Sequence, residues 1–204
     1  MKEIEWKKIA DDMISHGWQP PAQIPHIHLC DAGNYLESCY KYCLSCQGKE
    51  SSYKRTPELG KVAAWLTDNH RTGLFLYGSC GRGKTFLARY VLPIMLKAAG
   101  IGIISYYDMT YAIRHTDEVL NSHLLVLDDI GTEQNYNDYG TIRHTLDEVI
   151  DSAEKEGKLL ILTSNLTKDE LIHFYGERVY DRICNLTTRI LYKGESFRQN
   201  NNVK

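Results

Sequence analysis

The sequence is short of three features that would each assign a protein to a class: surplus positive charge, long apolar runs and internal repeats. Its 24 basic residues are balanced by 26 acidic residues in a chain of 204, so no overall positive field would hold nucleic acid, and any DNA contact must be local. No apolar run is long enough to span a bilayer, and residues 1–10 lack the apolar core of a signal peptide. A length of 204 residues predicts one main domain. The lack of a signal peptide and of a membrane-spanning run predicts a cytoplasmic protein without a membrane partner.

The six cysteines are not expected to form disulfides, because thiols in a reducing compartment stay reduced or bind metal. Four of them lie close together in the chain and could form a tetrahedral zinc site that stabilises a segment too small to fold on its own core. Alternatively, residues 35–46 form a helix whose thiols act as small hydrophobic side chains. Only Cys43 and Cys46 have the tight spacing typical of metal ligands, so both interpretations stay open. The four are Cys30, Cys39, Cys43 and Cys46.

A G-x-x-x-x-G-K-T stretch lies between the apolar run 74–77 and the helical pattern 86–91. Its glycines let the backbone curl so that N–H groups point at phosphates, and the helix that follows adds its positive dipole end. Lys84 is expected to reach the β- and γ-phosphates of ATP, and the Thr85 hydroxyl to ligate Mg²⁺. The predicted nucleotide-binding residues are Gly78, Ser79, Cys80, Gly81, Arg82, Gly83, Lys84, Thr85 and Phe86.

Apolar strands alternate with helical patterns after residue 58, which predicts an α/β fold with a parallel sheet covered on both faces, in three layers. The polar stretch 48–57 is interpreted as a linker, so residues 1–52 form a small N-terminal region and residues 53–204 the main domain. Strands are expected at 74–77, 101–106, 124–127, 159–163 and 188–192, and helices at 3–16, 58–69, 84–99, 109–115, 138–156 and from Thr167, where Thr167 and Glu170 would form a capping box.

Polar side chains follow two of these strands. Asp128 and Asp129 end one apolar strand, where α/β folds place their ligands; we expect Asp128 to hold Mg²⁺ through water and Asp129 to polarise the attacking water. The alternative is that Asp129 only caps the turn at Gly131. Asn165 follows the next strand and could orient that water, although Ser-Asn is also ordinary turn chemistry. The later stretches 176–183 and 194–198 contain arginines, and their spacing alone indicates only solvated surface side chains.

Five motifs follow one another along the chain, namely Gly78–Thr85 and the stretches 125–133, 162–166, 176–183 and 194–198. Their order resembles that of the AAA+ ATPases of the DnaC/DnaI helicase-loader group and of the related transposition helper IstB. The resemblance covers about residues 58–198. It implies that Asn165 is sensor 1, that Arg182 is an arginine finger acting in trans with Arg178 as the alternative, and that Arg198 is sensor 2 acting in cis.

The resemblance implies an ATP-dependent loader that self-associates, binds a hexameric replicative helicase of the DnaB type and delivers it to single-stranded DNA. The N-terminal region would dock the helicase. Many AAA+ enzymes carry glutamate where Asp129 lies, and the shorter reach predicts slow, switch-like hydrolysis. The segment 107–124 is shorter than in typical loaders, so we assign no DNA-contact residues there.

Three alternatives remain at this point. An IstB-like helper would partner a transposase, but those proteins carry a longer N-terminal region. A small-molecule kinase could use the same phosphate loop, although it needs an acceptor pocket and a lid. A replication initiator that reads duplex DNA is less expected, because only six residues follow Arg198 and leave no place for a C-terminal helix-turn-helix.

Overall fold

The computed structural model describes residues 5–132 and 141–197, with the backbone alone for residues 141–144. Five parallel strands form one sheet in the order β2-β3-β4-β1-β5. The central strands are nearly continuous runs of buried apolar residues, as expected of a parallel sheet covered on both faces. The strands are β1 (Gly73–Gly78), β2 (Ser105–Asp108), β3 (Leu124–Ile130), β4 (Leu159–Ser164) and β5 (Thr187–Tyr192).

Helices precede and follow these strands along the described chain. Pro93 lies at the start of one of them; because proline has no N–H to bond the preceding turn, it accounts for the π-helical turn just before it. The helices are α1 (Trp6–Ser15), α2 (Ala32–Ser45), α3 (Pro57–Thr67), α4 (Lys84–Phe86) continuing through the π-helical turn Leu87–Val91 into α5 (Leu92–Ala98), α6 (Met109–Arg114), α7 (Thr116–Leu120), α8 (Thr141–Glu156), α9 (Lys168–Tyr175) and α10 (Glu177–Leu186).

Two hydrophobic cores, one on each face of the sheet, produce the three layers. Alternate residues of β1 point to opposite faces, so that Leu74 and Leu76 join the core beneath α2, α3 and α5, whereas Phe75 joins the core beneath α6, α8 and α10. The predicted three-layer parallel α/β fold is therefore confirmed.

The element boundaries differ from the predictions mainly around β2. The strand begins at Ser105 rather than at residue 101, because Gly100 and Gly102 adopt positive φ angles of 77° and 134° and turn the chain after α5. The helices α7 and α10 were not predicted. The capping box at Thr167 is confirmed, since its side chain accepts from the Glu170 backbone N–H while Glu170 accepts from the Thr167 N–H.

The cysteine-containing segment forms helix α2, which packs on the same core as β1 and the helix that follows the phosphate loop. The Cys39 and Cys43 thiols point at the backbone oxygens of Val91 and Tyr90, at 3.8 and 3.7 Å. Cys30 lies instead beside His28 Nε2, at 3.7 Å. Among the described residues, no three His, Cys, Asp or Glu side chains are grouped so as to hold a metal ion.

The structure does not group Cys30, Cys39, Cys43 and Cys46 as the predicted zinc site requires. It agrees with the alternative, a helix on which Cys39 and Cys43 pack as hydrophobic side chains, whereas Cys30 and Cys46 are exposed. Burial raises the pKa of the Cys39 thiol to about 12, as expected of a thiol packed among apolar side chains. The boundary at residue 52 stays a prediction. None of the described helices combines the length and the apolar character needed to cross a membrane.

Candidate nucleotide-binding site

The phosphate loop leaves β1 on glycines that no other residue could replace without strain. Gly78, Gly81 and Gly83 have φ angles of 102°, 72° and 88°, a region that favours glycine. A Cβ atom at Gly78 would lie 2.5 Å from the Tyr192 carbonyl oxygen. The loop is thus curled tightly against the end of β5, as the motif predicts, and it forms a backbone cradle of the kind that holds phosphate.

Lys84 opens the helix after the loop, and its side chain is turned back over the loop. Its Nζ donates to the carbonyl oxygens of Gly78 at 2.9 Å and Ser79 at 2.8 Å, and to Asn165 Oδ1 at 2.9 Å. Lys84 is buried. A buried ammonium held over a curled glycine loop fits an anionic group of the size of a phosphate.

The remaining loop residues are placed by local packing. Cys80 is exposed, and the Ser79 N–H donates to the Tyr192 carbonyl at 2.9 Å. The Phe86 ring packs on Tyr40 and Tyr90, with centroids 5.0 and 5.4 Å apart. The Phe86 ring is therefore held in place by two neighbouring aromatic side chains.

Asp128 lies at the end of β3 with both carboxylate oxygens hydrogen-bonded. Thr163 Oγ1 donates to Oδ1, and Tyr106 Oη donates to Oδ2 at 2.6 Å. Only 2% of Asp128 is exposed. Burial and then the bond to Asp128 raise the pKa of the Tyr106 hydroxyl, which keeps this hydroxyl a proton donor to the carboxylate.

Asp129 is turned out of the strand by an irregularity in the β3–β4 register between Leu127 and Ile130. Its φ angle is 56°, and such bulges re-aim side chains beside active sites. Its N–H donates to Thr163 Oγ1 at 2.9 Å, and its Oδ1 accepts from Asn165 Nδ2 at 3.0 Å. Asp129 therefore does more than cap the turn at Gly131.

These bonds connect the predicted residues in one series. Asn165 contacts Lys84 through its oxygen and Asp129 through its nitrogen, so the ends of β1, β3 and β4 meet at one edge of the sheet. Sequence reasoning missed Thr163 and Tyr106. The available signal was strand alternation, which places both on the face of the sheet that carries Asp128.

Mg²⁺ binding requires hard oxygen donors, and Mg²⁺ typically takes one or two carboxylates together with substrate phosphates. Asp128 supplies a carboxylate at the edge of the sheet. Thr85 supplies a hydroxyl as the second residue of α4, immediately after Lys84. This donor set fits Mg²⁺ held jointly with a bound nucleotide.

The segment 194–197 lies across the outside of the loop. The Phe197 N–H donates to the Gly81 carbonyl at 3.0 Å, and the Arg82 guanidinium stacks on the Phe197 ring at 4.1 Å. Arg82 also lies 3.6 Å from the buried Glu58 carboxylate. Arg198, the predicted sensor 2 residue, lies outside the described residues.

Arg182 lies on α10 and is bound by carboxylates of the same chain. Its guanidinium contacts Asp147 at 3.3 Å, Glu154 at 2.8 Å and Asp151. Burial lowers the pKa of Arg182, but the hydrogen bonds and the charges of Glu154 and Asp151 together outweigh it, so the pKa is raised. Only 15% of its side chain is exposed. Arg178, one turn earlier, is exposed.

No model of a known protein family matches the chain, and no curated protein matches it either. Solved structures do. A DnaC helicase loader is 23% identical with a TM-score of 0.57, covering 69% of this chain and 93% of its own. DnaI is 19% identical with a TM-score of 0.51, covering 87% and 90%.

AMPPCP-bound DnaA from Aquifex aeolicus is 15% identical with a TM-score of 0.53, covering 69% of this chain and 48% of its own. The chain has the three-layer fold, a parallel sheet between helical layers, of these solved structures.

Proposed function

We propose that the protein is an ATP-hydrolysing helicase loader. The observation that carries the proposal is the hydrogen-bonded series of Lys84, Asn165 and Asp129. Beside it lies Asp128, whose two carboxylate oxygens each accept a hydrogen bond. It lies at the carboxyl edge of the sheet, next to the glycine loop, where α/β folds bind their ligands. A cation, an amide and two carboxylates at one phosphate cradle are the groups that phosphoryl transfer requires.

Each residue has a separate role in this proposal. The Lys84 ammonium exchanges its contacts with the loop carbonyls for the β- and γ-phosphates of ATP. Asp129 accepts a proton or a hydrogen bond from the attacking water, and Asn165 keeps that carboxylate oriented. A bound Mg²⁺, held by Thr85 and Asp128, would supply charge neutralisation on the phosphates.

The replication role is supported by the structural neighbours, which include DnaC, described as a helicase loader, and DnaI. The partners proposed for this chain are a hexameric replicative helicase of the DnaB type, single-stranded DNA and further copies of itself. In the assembled form, Arg182 of one copy faces the ATP of the next, with Arg178 as the alternative, and Arg198 acts within its own chain.

The decisive experiment combines ATP hydrolysis with partner capture. The purified chain is incubated with ATP, Mg²⁺ and single-stranded DNA, and the replicative helicase of the native host is added. We expect slow hydrolysis, ATP-dependent binding to the helicase and transfer of the helicase to the DNA strand. Capture of a transposase in place of the helicase supports an IstB-like helper, and phosphorylation of a nucleoside or metabolite supports a kinase. Either result contradicts the loader proposal.

The in-trans arginine is tested by mixing two inactive variants. Lys84→Ala lacks the phosphate contact but keeps Arg182, whereas Arg182→Ala keeps the phosphate site. If one copy completes the site of another, the mixture regains hydrolysis that neither variant shows alone. A mixture that is no more active than the sum of its components excludes Arg182 from this role, and the same pairing with Arg178→Ala then tests the alternative.

A further inference from the structure

Tyr106 touches the magnesium-binding end of the site although no sequence motif includes it. Its Oη donates to Asp128 Oδ2 at 2.6 Å, while Thr163 Oγ1 donates to the other carboxylate oxygen. A carboxylate that accepts one bond on each oxygen cannot rotate freely about its Cβ–Cγ bond. Each oxygen keeps a further lone pair for another hydrogen-bond donor, such as a metal-bound water.

The Tyr106 ring is itself held on the opposite side. The Arg89 guanidinium lies over the ring at 4.8 Å from its centroid, within the range of a cation–π contact. Arg89 belongs to the π-helical turn Leu87–Val91 of the helix that starts at Lys84. Tyr106 also packs against the core beneath that helix. The Tyr106 side chain therefore connects two elements: its ring contacts the phosphate-loop helix, and its hydroxyl contacts the Asp128 carboxylate of β3.

We propose that Tyr106 is a positioning residue that orients Asp128 for the Mg²⁺ bound with ATP, and thereby sets how much Mg²⁺ the site needs. The inference rests on the proposed ATP site. Hydrogen-bond partners of metal ligands fix ligand orientation, and their loss typically weakens metal affinity by about 10- to 100-fold. A purely structural role for Tyr106 would instead lower folding stability and leave the Mg²⁺ requirement unchanged.

The test compares two single-atom deletions on neighbouring residues. Tyr106→Phe removes the hydroxyl and keeps the ring on Arg89. Tyr107→Phe is the matched control, because the next residue of β2 points to the other face of the sheet, where its hydroxyl lies 3.0 Å from Ser122 Oγ. A fluorescent ATP analogue is titrated into each protein at a series of free Mg²⁺ concentrations and in EDTA.

We expect Tyr106→Phe to raise the Mg²⁺ concentration at half-maximal effect by roughly tenfold, with affinity in EDTA near that of the wild type. Tyr107→Phe should leave the Mg²⁺ midpoint unchanged. A Tyr106→Phe midpoint within twofold of the wild type overturns the inference while leaving ATP binding intact. A wild type that does not bind the analogue more tightly with Mg²⁺ overturns the proposed function as well.

Discussion

Two regions differ in whether their contacts within one chain serve the proposed activity. They are the edge of the sheet beside the glycine loop, here called the phosphate edge, and Arg182 on α10. At the phosphate edge, Lys84, Asn165 and Asp129 already contact one another. On α10, Arg182 is occupied by three carboxylates of α8. The two regions place different demands on the proposed activity: nucleotide binding needs only a local exchange of hydrogen bonds, whereas an in-trans arginine must first leave its partners.

This difference indicates where control would lie. A guanidinium with three acidic partners in its own chain contributes to an interface only if the new contacts exceed the ones it loses. Self-association would then depend on concentration and on a filled neighbouring site, whereas nucleotide binding would not.

The largest expected effect is at the phosphate edge. Lys84→Ala removes the cation that bonds to Gly78, Ser79 and Asn165, and we expect ATP affinity to fall by at least about 100-fold, since a desolvated charge-assisted contact to phosphate is lost. Titration with a fluorescent ATP analogue measures the loss. Lys97→Ala, on the exposed side of α5, is the control and should bind normally. Comparable binding by Lys84→Ala would remove the phosphate loop from the proposal.

Asp129→Asn separates hydrolysis from binding at the same edge. The amide keeps the size of the side chain but cannot take a proton from water, so we expect the hydrolysis rate to fall by about 100-fold with ATP affinity within a few-fold of the wild type. Single-turnover hydrolysis and equilibrium binding together measure the split. Asp117→Asn, an exposed change on α7, should alter neither. An equal loss in affinity and rate would mean that Asp129 only supports the fold of the loop.

The phosphate edge was largely predictable from sequence, because a strand, a loop and a helix that follow one another directly keep Lys84 beside the glycines. The apolar strand that ends in Asp128 and Asp129 was equally visible. The bulge that turns Asp129 toward Asn165 was not, since it arises from the β3–β4 register. Tyr106 was missed for a similar reason: its partner lies on a neighbouring strand.

The partners of Arg182 required a tertiary contact that no local pattern supplies. Asp147, Asp151 and Glu154 are spaced so that they share one face of α8, and this acidic stripe was visible in the sequence. Nothing local in the sequence indicates that Glu177–Leu186 forms a helix that packs against it. Family resemblance assigns a role to Arg182 in an assembly, and it does not reveal where the side chain rests in the single chain.

Neutralising the α8 stripe should release Arg182. The triple variant Asp147→Asn, Asp151→Asn and Glu154→Gln removes the carboxylates that hold it. A single exposed ion pair contributes little, but three carboxylates bind the same guanidinium, so we expect ATP-dependent self-association at a protein concentration at least about threefold lower. Sedimentation at several concentrations measures the shift, with Glu148→Gln on the same helix as control. Unchanged or weaker association would show that the stripe does not compete with the interface.

The smallest expected effect is the pH dependence of a single contact in that stripe. The hydrogen bond from Arg182 lowers the pKa of the Asp151 carboxyl. A depressed folded-state pKa gives stability that is present above the unfolded value of about 4 and is lost as the pH falls through the lower folded value. The melting temperature of the wild type should therefore exceed that of Asp151→Asn at pH 7, by on the order of 1 °C, and the difference should shrink toward pH 3. Differential scanning calorimetry from pH 3 to 7 measures it. A difference that stays constant or grows in acid would mean that Arg182 is not bonded to an ionised Asp151, and the contrast between the two regions would then rest on Asp147 and Glu154 alone.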